Sequence, residues 1–331
     1  MSSAVARDLA QCVVVVTGAS SGIGRSAAHQ FAQQGSRLVL AARSEGPLRD
    51  VVEECERFGA TALAVPTDVR DERAVEALAT RAAEHFGRLD VWVNSAGVIA
   101  YGRFAELPSE VFRAVIETNL FGQVHGARAA LPYFQAQRTG VLINVASVWA
   151  RVTAPDVSAY VASKFALRAF SECLRQELRD VPDVDVVTIL PQAVDTPIFA
   201  LAANYSGRSV RPIPPVVEPE KVAKGILLCA QSPKREVTYS RMGRLLEASH
   251  SLVPGLYNRF LPPAFEAGNY GNESVAATAG AVLAPLPALH GVKGHWKGRR
   301  RRQLVRALGA TIKGSARGLR RRRRGSFTAD R

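Results

Sequence analysis

Short runs of apolar and β-branched residues alternate with longer amphipathic stretches from residue 12 to residue 190. This alternation is typical of βαβ units, in which each strand of a parallel sheet is followed by a helix that packs on the sheet. The predicted strands are CVVVV (12–16), RLVLAA (37–42), TALAVP (61–66), LDVWVN (89–94), GVLINVA (140–146) and VDVVTIL (184–190). Most of them are apolar throughout, as expected where helices cover both faces of the sheet. The sequence therefore predicts an α/β fold with a doubly wound parallel sheet.

The stretches between these strands have the apolar spacing of helices. They cover residues 22–34, 73–86, 110–135, 158–178 and about 220–231, and EVTYS (236–240) follows as a further predicted strand. We place the boundary of this first domain, residues 1–243, just after that strand.

The stretch TGASSGIG, residues 17 to 24, lies where the first predicted strand turns into the first predicted helix. Its glycines Gly18, Gly22 and Gly24 leave backbone N–H groups open to a phosphate, because no Cβ stands in the way. The helix that follows adds the positive end of its dipole. The spacing differs from the usual G-x-G-x-x-G, so the position between strand and helix is what indicates a Rossmann-type dinucleotide site. A tight structural turn is the alternative.

The second predicted strand ends in Ala41, Ala42 and Arg43. An acidic residue at this position would bind the ribose 2′-hydroxyl of NAD, whereas an arginine favours the 2′-phosphate of NADP. We therefore predict NADP (NADPH) as the preferred cofactor, with NAD as the alternative. In the other interpretation Arg43 is a solvated loop residue that pairs with Glu45.

Several further motifs occur in a fixed order along the chain. They are TDV at 67–69, NSAG at 94–97, Asn119 in ETNLFG, Ser147 in INVASVWA, YVASK at 160–164 and LPQAVDT at 190–196. With TGASSGIG they make residues 11 to 240 resemble the short-chain dehydrogenases/reductases. The specific signal is the ordered set, since a single Y-x-x-x-K pair arises readily by chance. The resemblance implies hydride transfer between a nicotinamide cofactor and a carbonyl compound or alcohol, by a homodimer or homotetramer.

The predicted catalytic residues are Asn119, Ser147, Tyr160 and Lys164. Reduction of a carbonyl needs a proton, and a tyrosine with its usual pKa near 10 is a poor donor at neutral pH. Tyr160 and Lys164 are four residues apart and share a helix face, so the ammonium group is expected to stabilise the tyrosinate and lower its pKa. Ser147 is expected to hydrogen-bond the substrate oxygen. The resemblance further implies that Asn119 positions a water and that Lys164 holds the nicotinamide ribose.

The resemblance also assigns cofactor contacts one position at a time. Asp68 and Val69 would flank the adenine, Thr196 would contact the carboxamide or pyrophosphate, and the NSAG residues would line the cleft. The full predicted set is Thr17, Gly18, Ser20, Ser21, Gly22, Ile23, Gly24, Arg43, Asp68, Val69, Asn94, Ala96, Gly97, Tyr160, Lys164 and Thr196. One departure is Gln192, which stands where the family usually has glycine, and its side chain is expected to narrow the nicotinamide end. We predict no metal site.

The second region, residues 244–292, combines an amphipathic stretch with an Ala/Pro-rich segment. Apolar residues recur at roughly helical spacing from Leu245 to Leu261, although Pro254 is expected to break or kink that helix. The resemblance makes residues 197–215 the substrate lid, and the apolar side chains there favour an apolar substrate.

The third region, residues 293–331, is a basic tail that we predict to be disordered. The chain carries a formal net charge of +14, and fifteen Lys or Arg residues lie in this tail with a single acid, Asp330. The rest of the chain is therefore neutral. A solvated charge run, an anionic membrane surface and nucleic acid are the alternatives, and nucleic acid is disfavoured because only Trp296 and Phe327 offer aromatic rings there. The alternative function is a catalytically weak NADP-binding protein tethered through the tail.

The four cysteines form no CxxC pair, and the sequence has neither a signal peptide pattern nor an apolar run long enough to span a membrane. We expect a cytoplasmic protein, with peripheral membrane association as the alternative.

Overall fold

The computed structural model describes residues 6–181, 183–239, 247–250, 252–286 and 289–296. The strands are β1 (Val13–Thr17), β2 (Arg37–Ala42), β3 (Ala62–Pro66), β4 (Val91–Asn94), β5 (Ala100–Tyr101), β6 (Gly140–Val145), β7 (Val184–Leu190), β8 (Ala203–Asn204), β9 (Arg208–Val210), β10 (Glu236–Thr238) and β11 (Tyr270–Ser274). The helices are α1 (Gly22–Ala32), α2 (Glu45–Arg57), α3 (Glu72–Phe86), α4 (Ser109–Ile116), α5 (Gly122–Gln137), α6 (Ser158–Glu177), α7 (Pro219–Gln231) and α8 (Pro254–Asn269).

A seven-stranded sheet in the order β3-β2-β1-β4-β6-β7-β10 forms the centre of the fold. Every neighbouring pair in it runs parallel. The order reverses between β1 and β4, and a crevice opens at the carboxyl ends of strands at such a switch point. The predicted α/β fold with a doubly wound parallel sheet is confirmed.

Strand β1 shows why the sheet is covered on both faces. Its valines are fully buried and alternate between two hydrophobic clusters. Val14 and Val16 pack in the cluster that contains Phe31 of α1, whereas Val13 and Val15 pack in the cluster that contains Phe134 of α5. Successive side chains of a strand point to opposite faces, so an uninterrupted valine run requires an apolar layer on each side.

The long helix predicted over residues 110–135 contains a change of hydrogen-bond pattern. Residues Glu117–Phe121 form a π-helical turn between α4 and α5. Such turns insert one extra residue into a helix and are frequent at functional sites. Asn119 lies in this turn and is fully buried.

The C-terminal region packs on the carboxyl end of the sheet. Pro254 is the first residue of α8, where its missing N–H costs no helical hydrogen bond. Strand β11 pairs with β9, and the main chain of Thr278 pairs with Asn204. The predicted disordered tail begins at residue 293; residues 293–296 are described, and residues 297–331 lie outside the described part of the chain. Within the described residues no helix is both long and apolar enough to cross a bilayer.

Candidate active site

The loop from β1 to α1 approaches neighbouring backbone too closely for any side chain at two of its glycines. Gly18 has φ +67°, and a Cβ there would lie 2.7 Å from the Cα of Ala96. A Cβ on Gly24 would lie 2.3 Å from the carbonyl oxygen of Gly18. No Cβ at Gly18 or Gly24 therefore stands between the turn and a phosphate at the start of α1, although the Gly22 amide donates to the carbonyl of Gly291.

A cleft that is partly open to solvent lies in front of this turn. Most of the predicted cofactor residues line it: Gly18, Ser20, Ser21, Gly22, Ile23, Gly24, Arg43, Asp68, Val69, Ala96, Gly97 and Thr196. The residues that line the cleft extend from Arg43, at the end of β2, to Thr196, in the segment after β7. The residues present thus fit a nicotinamide dinucleotide.

Thr17 and Asn94 lie behind the cleft and hold its walls. The Oγ1 of Thr17 accepts a hydrogen bond from the Ser95 amide at 3.1 Å. The side chain of Asn94 is fully buried; it donates to Oδ1 of Asn144 at 2.9 Å and accepts from the Trp92 indole at 2.8 Å. Thr17 and Asn94 therefore support the loops around the cleft, because their side-chain polar atoms form hydrogen bonds within the protein.

Arg43 reaches into the cleft from the end of β2. Its Nη2 donates to the carbonyl of Ala281 at 2.7 Å, and its Nη1 is buried without a hydrogen-bond partner among the described residues. Glu45, the alternative partner, instead pairs with Arg49. Asp68 forms its ion pair with Arg70. Arg43 thus lines the cleft and keeps one donor without a partner among the described residues.

Three of the predicted catalytic residues lie together beside the cleft, near Gly97, but none of them is among the residues that line it. Tyr160 and Lys164 lie on α6, and the Lys164 Nζ is 5.7 Å from the centre of the Tyr160 ring. Lys164 donates to the carbonyl of Val145 at 2.9 Å. Ser147 is the polar side chain that acts on the Tyr160 hydroxyl and lowers its pKa, and its Oγ accepts a hydrogen bond from the Trp149 amide.

Asn119 connects the π-helical turn to this group. Its Oδ1 accepts the amide of Val98 at 2.8 Å, and its Nδ2 donates to the carbonyl of Val98 at 2.8 Å. A Cβ on Gly97 would lie 3.4 Å from Oδ1 of Asn119 and 3.8 Å from Nζ of Lys164. The NSAG loop, the π-helical turn and α6 therefore converge on one point.

Burial changes the pKa values of both ionisable groups on α6. It raises the pKa of Tyr160 to about 12, and the interaction with Ser147 lowers that pKa by less than burial raises it. It lowers the pKa of Lys164 to about 7. This differs from the expectation that Lys164 lowers the tyrosine pKa, because lost hydration disfavours the charged form of each group.

An apolar wall from the C-terminal region packs beside Tyr160. The ring of Phe265 on α8 lies 5.8 Å from that of Trp149 and 6.4 Å from that of Tyr270, both edge to face. The same cluster includes Tyr160 and the fully buried Tyr101. The apolar spacing from Leu245 to Leu261 is compatible with a helix that covers the pocket, that packs on a second subunit or that lies on a membrane, and it does not distinguish these positions.

Gln192 does not line the cleft. Its Nε2 donates to the carbonyl of Pro215 at 2.7 Å, so the side chain supports the segment that follows β9. The expected narrowing of the nicotinamide end is therefore absent from the described site. A different set of residues was missed: Ala281, Pro285, Leu286 and His290 line the cleft from the Ala/Pro-rich segment.

Known proteins resemble this chain over most of its length. A sequence model described as "short chain dehydrogenase" matches residues 12–204. The "Uncharacterized oxidoreductase YxnA" of Bacillus subtilis is 34% identical over 252 residues, which cover 75% of this chain and 71% of the relative. The "Dehydrogenase/reductase SDR family member 7B" of Bos taurus is 32% identical over 260 residues, covering 75% and 80%.

Two solved structures are similar in fold and sequence. An alcohol dehydrogenase from the archaeon Thermococcus sibiricus, complexed with 5-hydroxy-NADP, has a TM-score of 0.60 and 30% identity, covering 69% of this chain and 95% of that one. A short chain dehydrogenase/reductase from Burkholderia phymatum, in complex with NAD, has a TM-score of 0.64 and 26% identity, covering 77% and 94%. The chain belongs to the short-chain dehydrogenase/reductase family and is an NAD(P)-dependent oxidoreductase.

Proposed function

We propose that this protein is an NADP-dependent oxidoreductase that interconverts an apolar carbonyl compound and its alcohol, with Tyr160 as the general acid and base. The observation that carries the proposal is the meeting of Tyr160, Ser147 and Lys164 beside a cleft built for a dinucleotide. The bound nicotinamide would supply or accept the hydride.

The roles of the side chains follow from their donors and their charge. The Ser147 hydroxyl would donate a hydrogen bond to the substrate oxygen and hold it beside the Tyr160 hydroxyl. Tyr160 would give its proton to the oxygen as negative charge develops there. The ammonium form of Lys164, which the Val145 carbonyl holds in place, would stabilise the tyrosinate that remains.

Arg43 supports a preference for NADP. A phosphate would accept a hydrogen bond from its unpartnered Nη1 and would neutralise its positive charge. Charge-assisted hydrogen bonds of this kind between arginine and phosphate are strong. No carboxylate stands at the end of β2 to take the ribose 2′-hydroxyl of NAD. The relatives with bound cofactor include one with an NADP derivative and one with NAD, so the preference depends on Arg43 itself.

The apolar wall beside Tyr160 supports an apolar substrate. Ile198 and Phe199 pack with Tyr101 and Phe265 in the same cluster as Tyr160. A polar substrate would lose hydration against this wall without gaining partners.

The test is oxidation of NADPH and of NADH by the purified protein with a panel of apolar ketones and aldehydes, next to Tyr160→Phe. We expect turnover that is faster with NADPH and that falls by about 10²–10⁴ in the variant, the range of general acid catalysis. Binding of NADPH, followed by its fluorescence, should be the same in both proteins. Turnover that survives in Tyr160→Phe would contradict the role of the tyrosine.

A further inference from the structure

We infer that residues 278–286 and 289–296, here named the cleft strap, form the outer wall of the dinucleotide site and control the entry and release of the cofactor. This rests on dinucleotide binding in the cleft, and not on the preference for NADP. The strap lies beyond residues 12–204, the part of the chain that the family sequence model matches.

One end of the strap is fixed beside the end of β2. The carbonyl of Ala281 accepts from Nη2 of Arg43 at 2.7 Å, and the amide of Ala281 donates to the carbonyl of Leu201 at 2.8 Å. The next side chain, Val282, is fully buried in a cluster with Ala203. This anchor therefore fixes the strap beside Arg43, at the rim of the cleft formed by the end of β2.

The middle of the strap contacts the start of α1. The amide of Gly22 donates to the carbonyl of Gly291 at 2.9 Å. The first amides of a helix have no partner within the helix, and they are the donors that a pyrophosphate uses. The carbonyl oxygen of Gly291 thus accepts a hydrogen bond from one of the amides that would face the phosphate, that of Gly22.

The far end of the strap is fixed to the segment after β7. The amide of Trp296 donates to Oδ1 of Asp195 at 2.9 Å, and its indole Nε1 donates to the carbonyl of Thr196 at 3.2 Å. The Trp296 ring lies edge to face with that of Phe199, at 6.0 Å. Lys293 adds ion pairs with Glu218 at 3.3 Å and with Glu220 at 3.2 Å.

The described residues of the strap thus lie at both rims of the cleft. Between its anchors, Pro285, Leu286 and His290 line the cleft, so that the space for the dinucleotide is bounded by the strap on one side and by the glycine turn on the other. A cofactor that reaches Arg43 and the α1 amides passes under this wall. Its entry and its release both require the far end of the strap to lift.

The test uses the full chain with Lys293→Ala and Trp296→Ala combined, which removes the side-chain contacts of the far anchor and leaves the bond from the Trp296 amide to Asp195. Stopped-flow NADPH fluorescence would give the association and dissociation rates. We expect both rates to rise by about tenfold, the change that about 1.4 kcal/mol of lost contacts produces. Their ratio should change much less, because association and dissociation pass through the same transition state, and lowering it changes both rates by the same factor. The matched control is Lys224→Ala with Phe104→Ala, two exposed side chains away from the cleft, and its rates should equal those of the wild type.

A second variant addresses the middle contact without removing a side chain. Gly291 has φ +146° and open space around its Cα, so Gly291→Ala would shift its carbonyl through backbone strain alone. Its control is Gly35→Ala, which has φ +75°, also in open space, but lies in the α1–β2 turn. Faster exchange in Gly291→Ala and not in the control supports the strap.

Unchanged rates in both strap variants would overturn the proposal. So would faster release with unchanged association, since the strap would then only contribute contacts to the bound cofactor. If the protein binds NADH more tightly than NADPH, the proposed preference for NADP is wrong, and the same rates measured with NADH test the strap.

Discussion

The ammonium nitrogen of Lys164 lies 5.7 Å from the centre of the Tyr160 ring and donates to the carbonyl of Val145 at 2.9 Å. Only 3% of the Lys164 surface is exposed, and burial lowers its pKa to about 7. One carbonyl dipole replaces only part of the hydration that an ammonium group loses. Near neutral pH the lysine is thus divided between its charged and neutral forms.

Lys164→Met should flatten the pH dependence of stability of the cofactor-free protein between pH 7 and about 10. The folded pKa is below that of the unfolded chain, so in this window the unfolded chain binds a proton that the folded chain lacks. The free energy of unfolding of the wild type therefore rises with pH, by up to about 1.4 kcal/mol per pH unit from this group. Urea unfolding at several pH values measures it. Parallel curves for the two proteins would contradict the low pKa.

Arg43→Ala should weaken NADPH binding and leave NADH binding nearly unchanged. A hydrogen bond between charged groups is worth about 1.5–3 kcal/mol, which corresponds to about 10- to 100-fold in Kd. Fluorescence titration with both cofactors measures it. Arg49→Ala removes a surface arginine that pairs with Glu45 on α2 and serves as the control. An equal loss for NADH and NADPH would show that Arg43 only shapes the loop.

Gly24→Ala should destabilise the fold and abolish dinucleotide binding. Its new Cβ would lie 2.3 Å from the carbonyl of Gly18, so the phosphate turn must move. We expect a loss of about 1–3 kcal/mol in unfolding free energy, the usual cost of overpacking. Gly46→Ala on α2 meets open space and should gain up to about 1 kcal/mol. Thermal unfolding and NADPH titration of both variants measure the contrast; equal behaviour of the two would refute the argument.

Phe265→Ala should loosen the wall beside Tyr160. The side chain is 2% exposed and packs against Trp149 and Tyr270, and removing a buried phenylalanine costs about 3–5 kcal/mol in a well-packed core. We expect faster hydrogen exchange in α8 and a larger rise in KM than fall in kcat for the best ketone of the panel. Phe260→Ala, on the more exposed face of the same helix, should leave both unchanged. A fall in kcat alone would place Phe265 outside the substrate site.

The strands of the sheet could be predicted because burial on both faces makes them continuously apolar. Helix α2 could not, since Gly46 and Pro47 resemble the signals of a turn. Both residues lie in its first turn, where the amides have no partner within the helix, so proline is tolerated there. The π-helical turn left no trace in the sequence either, because a one-residue change in hydrogen bonding does not alter the apolar pattern.

The positions of the cleft residues followed from their motifs, whereas the surroundings of those residues did not. The distance of Lys164 from Tyr160 was expected from their spacing on one helix, but the pKa values depend on burial by distant elements such as α8. The contacts of Ala281 and Gly291 with the cleft join segments that are far apart in the chain. No local pattern encodes such contacts.

The π-helical turn at Glu117–Phe121 has a consequence for how this segment tolerates changes in length. Loss of one residue there would restore an ordinary helix from α4 through α5, but would rotate one half against the other by about 100°. Asn119 could then no longer face Val98 while Phe134 still packed on the sheet. Insertions and deletions should therefore accumulate in the surface loops during divergence, and the count of residues between Ser109 and Gln137 should stay fixed.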